Sequence, residues 1–229
     1  MTADVAFHDL QQGGRTRDLP YYGELARRSG STLELGAGTG RVALELAGLT
    51  DLWVNELDDT LMDELVRRAE ARSLPVTPAL GDAAQLDLGR RFDLILAPAS
   101  FVQIVGGQDA RRALLGVIAR HLAASGVAVV ALADVDEILR ECATPVGPQL
   151  AATAIDAGAR VGWQRTLPGG GSETAGVTIH RVSPDDVEAD AAAWGLRLSR
   201  VRHDPGDAAT LGSSYCVLRH TAAQRTLIA

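Results

Sequence analysis

Apolar positions along the chain change period in a regular order. "STLEL" (31–35), "DLWVNEL" (51–57), "PVTPAL" (75–80), "RFDLILAP" (91–98) and "GVAVVALAD" (126–134) are short apolar runs, which predicts five strands. Pro78 weakens the third of them. Helical spacing fills the intervals, over "YYGELARRS" (21–29), "RVALELAGL" (41–49), "DDTLMDELVRRAEARS" (58–73) and "ARRALLGVIARHLAAS" (110–125). In the 58–73 segment Leu61, Met62, Leu65, Val66 and Ala69 share one face, and Asp58 or Asp59 serves as the cap. Strands written as continuous apolar runs, alternating with helices, predict a parallel α/β sheet covered on both faces.

The pattern changes after about residue 135. "DEILRECA" is helical, and "ARVGWQRTL", "PGGGSE" and "TAGVTIHRV" then read as strand, glycine-rich turn and strand, an inserted β-hairpin. "SPDDVEADAAAWG" opens with Ser183 as cap and Pro184 in the first turn, and Gly195 stops it. "LRLSRVRH" and "SSYCVLRH" are two closing strands. With no repeat and no linker, residues 1–229 are read as a single domain. Residues 20–135 form its alternating half, and 136–229 the hairpin and closing strands.

Composition narrows the chemistry. All 22 basic side chains are arginine, which excludes a phosphate-loop lysine and a Schiff-base amine. A net charge of -7 argues against nucleic acid as a partner. No window approaches the eighteen or so apolar residues of a membrane span, and the first residues carry no signal-peptide pattern. Two cysteines, Cys142 and Cys216, give neither metal spacing nor a disulfide framework, so a cytoplasmic protein without a metal is expected.

The glycines of "TLELGAGTGR" (32–41) lie at the carboxyl edge of the first strand, where open α/β folds bind ligands. The dinucleotide fingerprint needs a glycine at position 41, but Arg41 stands there, and the spacing is instead Gly36, Gly38, Gly40. Glu56 ends the second strand about twenty residues on, where a carboxylate can accept from ribose hydroxyls. "GDA" (81–83) follows the third strand, and "APASFVQIV" leaves the fourth.

This constellation resembles the class I S-adenosylmethionine-dependent methyltransferases, small-molecule type. The resemblance covers residues 20 to 135 well and the remainder in outline. It implies a Rossmann-like, seven-stranded, mostly parallel sheet with helices on both faces. It implies S-adenosylmethionine as cofactor, bound by Glu34, Gly36, Ala37, Gly38, Gly40 and Arg41 at the first motif, and by Glu56 and Leu57 at the second. Gly81, Asp82 and Ala83 fall at the adenine, Ala97 and Pro98 at the fourth-strand exit, and Tyr21 in the N-terminal segment.

Tyr22 and His180 are the candidate proton acceptors, with ordinary packing as the alternative for each. Ser100, Phe101, Gln103 and Trp163 are candidates for acceptor binding. The exit loop carries neither Asn nor His, which argues against an amino-acid acceptor; a small metabolite or natural product methylated at N, O or C, aromatic ones included, is the expected class. His121 falls on an outer helix face and is discounted, and the late edge strands offer a homodimer contact. Two other classes stay open on the residues alone, a nicotinamide-type oxidoreductase and a non-catalytic binding module.

Overall fold

The computed structural model describes residues 5–12, 16–143, 150–166, 170–204 and 213–228. Helices α1 (Val5–Gln12) and α2 (Leu19–Ala26) precede β1 (Ser31–Leu35), α3 (Ala43–Leu46) and β2 (Asp51–Glu56). Next come α4 (Asp59–Ala71), β3 (Thr77–Leu80), β4 (Phe92–Ala97), α5 (Phe101–Ile104), α6 (Gln108–His121) and β5 (Leu122–Ala133). The second half holds α7 (Val135–Ala143), β6 (Leu150–Ile155), β7 (Gly158–Thr166) and β8 (Ser172–His180). It closes with α8 (Pro184–Ala192), β9 (Leu196–Asp204), β10 (Ser213–His220) and α9 (Ala222–Ile228).

Seven strands form one sheet in the order β3-β2-β1-β4-β5-β10-β9. The first five run parallel; β10 inserts antiparallel between β5 and β9. The order reverses at β1 and β4, and the carboxyl ends of those strands form the topological switch point. Strand alternation divides the core between two faces. Leu33 and Leu35 of β1 pack toward the α6 and α8 side with Phe92, Leu114 and Ile118. Tyr22, Val42, Leu46, Val54 and Leu65 pack on the other, against α2, α3 and α4. Glu34 lies between Leu33 and Leu35, so the pleat turns its carboxyl toward the α2 face, where it is 2% exposed.

Asp58 caps α4 by accepting from Leu61 N–H at 3.2 Å, and Ser183 and Asp186 form a reciprocal capping box on α8. Three expectations change. The helix expected over 41–49 is the single turn α3, because Ala47 and Thr50 already bridge ahead of β2. The helix expected to reach residue 125 ends at His121, and Leu122 pairs with Phe92 as the start of β5. His121 is buried, not on the outer face; its Nε2 accepts from Leu88 N–H and its Nδ1 donates to Val117 O, both at 2.9 Å.

The insertion is a three-stranded antiparallel sheet, β6-β7-β8, rather than a two-stranded hairpin. Its extra strand, "LAATAI", is too alanine-rich to show an alternating period. This sheet has its own small core of Val135, Ile138, Ala159, Val161 and Ile179. No described helix is long and apolar enough to cross a membrane.

Candidate active site

The glycine turn is held by backbone donors and one carboxylate. Ala37 N–H donates to Asn55 O at 2.9 Å, and Gly38 N–H to Glu56 Oε2 at 2.8 Å. The other Glu56 oxygen accepts from the N–H groups of Leu57 and Asp58, at 2.8 and 3.1 Å. Gly36 (φ +68°) and Gly38 (φ +56°) both occupy the left-handed region. A Cβ on Gly36 would meet the Phe101 ring at 2.5 Å, and one on Gly38 would run into the His8 imidazole. The cradle therefore has room for backbone alone.

Asn55, fully buried beside Glu56, donates its amide to Ala79 O and Gly81 O at 2.9 Å each, and Gly81 N–H donates to Glu56 O at 2.8 Å. These bonds bring the β2 and β3 ends to one rim. Asp82 is exposed there, with its oxygens accepting from Ala84 N–H and Gln85 Nε2, while Ala83 is buried. Leu57, 69% exposed, offers an apolar surface at the same rim.

Helix α1 carries residues that sequence reasoning missed. Thr39 Oγ1 donates to Asp9 Oδ1 at 2.7 Å, and Arg68 of α4 pairs with both Asp9 and Glu64. These contacts seat His8 on Gly38, and burial lowers the pKa of that imidazole. The only sequence signal was the short mixed run "VAFHDLQQ".

Beneath the turn lies a buried charge cluster. Arg41 makes a bidentate pair with Asp18, both bonds 2.7 Å. That pairing fills position 41, where a dinucleotide fold keeps a glycine. Glu34 Oε2 has no hydrogen-bond partner. Burial pushes the Glu34 pKa up to about 8, the Asp18 and Glu56 charges add to the rise, and Arg41 opposes it.

Two cavities open at the switch point. One, of about 270 Å³, is lined by His8, Gln12, Glu34, Gly36, Ala37 and Pro98, among others. The second, of about 550 Å³, is lined by Arg17, Asp18, Ser100, Asp204, Ser213 and Tyr215, with Ala131 and Ala133 of β5. Arg41 and Ala99 line both and form a shared wall. Ala99 (φ +51°) and Ser100 (φ +66°) are consecutive non-glycine residues in the left-handed region, a strain of about 1–3 kcal/mol each.

The remaining candidates separate. Ser100 lines the second cavity, and Ala97, buried at the end of β4, leads into the shared loop. Phe101 lays its ring on Gly36. Gln103 is corrected from a substrate contact to a structural bolt. It is fully buried, accepts from Ala133 N–H at 2.7 Å and donates to Ala133 O and His180 O at 3.2 and 3.0 Å. Trp163 packs on the separate core of the insertion, since the third strand gives that sheet a face to cover.

His180 contributes its carbonyl to Gln103, and its ring lines neither cavity. Tyr22 is fully buried, its hydroxyl unpartnered, and burial raises its pKa well above 10; a phenol held so firmly protonated is no general base. Tyr21 lines neither cavity; its ring lies 5.2 Å from the Tyr215 ring, with the Arg202 guanidinium 4.3 Å over it.

Residues 32–126 match the family described as methyltransferase domain. In structure the chain is similar to the CcbJ methyltransferase from Streptomyces caelestis, with 24% identity over 92% of each chain and a TM-score of 0.68. It is also similar to CalS10, an amino pentose methyltransferase from Micromonospora echinaspora, at 18% identity over 96% of this chain and 98% of that one, TM-score 0.68. A third, the sugar N-methyltransferase KedS8 from a Streptoalloteichus species, shows 19% identity over 96% and 95%, TM-score 0.64. No curated protein matches in sequence.

Proposed function

We propose that the chain is an S-adenosylmethionine-dependent methyltransferase and that it methylates the amino group of a small polar natural product, of the amino-sugar kind. The carrying observation is the pair of cavities that meet at Arg41 and Ala99. The smaller one suits the cofactor. Its glycine cradle admits a ligand where a Cβ could not stand, and one buried oxygen of Glu34, Oε2, has no hydrogen-bond partner. Glu56 would take the ribose, Leu57, Asp82 and Ala83 the adenine, and Glu34 the methionine end. When bound, the cofactor supplies an activated methyl on a sulfonium.

The larger cavity is the acceptor site in this reading. Among its described residues Tyr215 is the one aromatic, because Phe101 turns to Gly36 and Trp163 to the insertion core. Asp18 and Asp204 line it instead, each paired with an arginine. Such walls favour a polar acceptor over the aromatic ring expected from the sequence. CalS10 is named an amino pentose methyltransferase and KedS8 a sugar N-methyltransferase, which supports this choice. Neither Tyr22 nor His180 reaches the cavity. An uncharged amine brings its own electron pair, so the chain's work is alignment and exclusion of water.

The test is calorimetric titration with S-adenosylhomocysteine, followed by a panel of amino sugars and catechols assayed with methyl-labelled cofactor. Binding should weaken about 30-fold or more in Glu56→Ala, since that carboxylate also pins Gly38. Turnover of amino sugars over catechols supports the acceptor class; the reverse preference overturns it.

A further inference from the structure

The polar side chains that line the larger cavity are engaged with one another, with one exception among the described residues. Asp18 is held by Arg41 and Asp204 by Arg17, and Ser213 interacts with Tyr215 through its side chain. The exception is Ser100, 6% exposed, whose hydroxyl makes no hydrogen bond to any described residue. A serine just ahead of a helical turn ordinarily swings its hydroxyl onto an N–H two or three residues on. At Ser100 the left-handed backbone (φ +66°, ψ +23°) withholds that bond, and Ala99 before it is left-handed too. Strain at two consecutive residues and a forgone cap are both costs to folding, so stability explains neither. Gln103 fixes the segment from behind, through Ala133 and His180. Ala99 lines both cavities, so Ser100 stands at their junction, on the side of the larger one.

We propose that the Ser100 hydroxyl receives the attacking nitrogen of the acceptor and orients it toward the smaller cavity. The inference rests on the amine-methylation reading above. An uncharged amine donates one N–H to the hydroxyl oxygen, and its electron pair stays free to face the methyl. That pair forms the new N–C bond, the bond from methyl to sulfur breaks with its electrons left on sulfur, and the positive charge passes to nitrogen. No proton moves to the serine. A nitrogen that gains charge is a stronger donor, so its bond to Ser100 tightens as the reaction proceeds. Ser100 therefore acts more on turnover than on acceptor binding.

The experiment pairs kinetics with calorimetry on the full chain, using an amino sugar and its analogue lacking only the amino group. Ser100→Ala removes the hydroxyl alone. It should lower kcat about 30-fold while KM moves by less than about threefold, because the bond lost in the transition state is charge-assisted and the one lost in the complex is neutral. With S-adenosylhomocysteine bound, it should weaken the amino sugar about threefold and leave the analogue unchanged. Ser100→Gly removes the strain together with the hydroxyl. It should melt no lower than native protein and turn over as slowly as Ser100→Ala, and it stands in if Ser100→Ala fails to fold. A kcat in Ser100→Ala within about threefold of native, equal weakening of both probes, or activity restored in Ser100→Gly overturns the proposal and leaves Ser100 a turn residue. Native protein that methylates no amino sugar sinks the acceptor reading and this assignment with it, a failure distinct from any Ser100 result.

Discussion

The two cavities share Arg41 and Ala99 and are otherwise built in opposite ways. The smaller one is a backbone object. Its cradle is a turn of five residues, 36–40, closed by Asn55 and Glu56 at the next strand end, and its geometry follows from positive φ angles and N–H donors. The larger one is an object of the fold. Asp18, Ser100, Ala133, Asp204 and Tyr215 come from five distant segments, gathered because β10 inserts beside β5. A chain can alter the wall of the larger cavity without disturbing the cradle, whereas a change in the cradle has no side chain to compensate for it.

Arg41 is the sharpest place to break both at once. Arg41→Met leaves Asp18 as a mostly buried, unpaired carboxylate. Chemical denaturation should show a loss of about 3–5 kcal/mol, and binding to both cavities should fail together. A variant that keeps full stability would show that the shared wall is not built on this pair.

Glu34 separates the cavities by pH. Its folded pKa of about 8 lies above the ordinary 4.5, so the folded state holds a proton the unfolded state has lost. Folding stability therefore falls as pH rises from about 4.5 to about 8. Glu34→Gln removes that loss. Thermal melts should match native protein near pH 4.5 and exceed it at pH 8 by a gain of up to about 4 kcal/mol. A gain that is flat with pH would place the carboxyl in water.

Gln103→Leu acts on the side of the larger cavity alone. It leaves Ala133 N–H and two carbonyls without their partners, at a cost of about 2–3 kcal/mol. Hydrogen exchange should rise in β8 and at the end of β5, with S-adenosylhomocysteine affinity unchanged.

Gly36→Ala does the reverse. The positive φ costs about 1–2 kcal/mol, and the new Cβ displaces Phe101. Calorimetry should show cofactor affinity reduced about tenfold or more by so small a change.

The smallest effect belongs to Asp82→Ala. This exposed side chain serves its own turn, so stability should move by less than about 1 kcal/mol, with a several-fold weaker cofactor constant at most.

What was legible in the sequence follows the same division. Strand ends, the glycine spacing and Glu56 were readable because each is a short-range signal: an apolar run, a φ that needs glycine, an acid at a strand terminus. Asp58 and Ser183 were readable as caps for the same reason. Helix α3 shrank to one turn and β5 began four residues early because sheet pairing overrode local helical spacing.

The sequence by itself determined the alternating α/β order, the glycine cradle and the absence of lysine chemistry. Tertiary structure alone decided the rest. It turned Gln103 into a bolt and Phe101 onto Gly36, withdrew Trp163 to a separate core, and brought Gln12 and Asp204 to the cavities. The physical reason is range. Backbone conformation and side-chain period act over a few residues and are written locally, whereas a cavity wall is made by segments whose meeting depends on strand order.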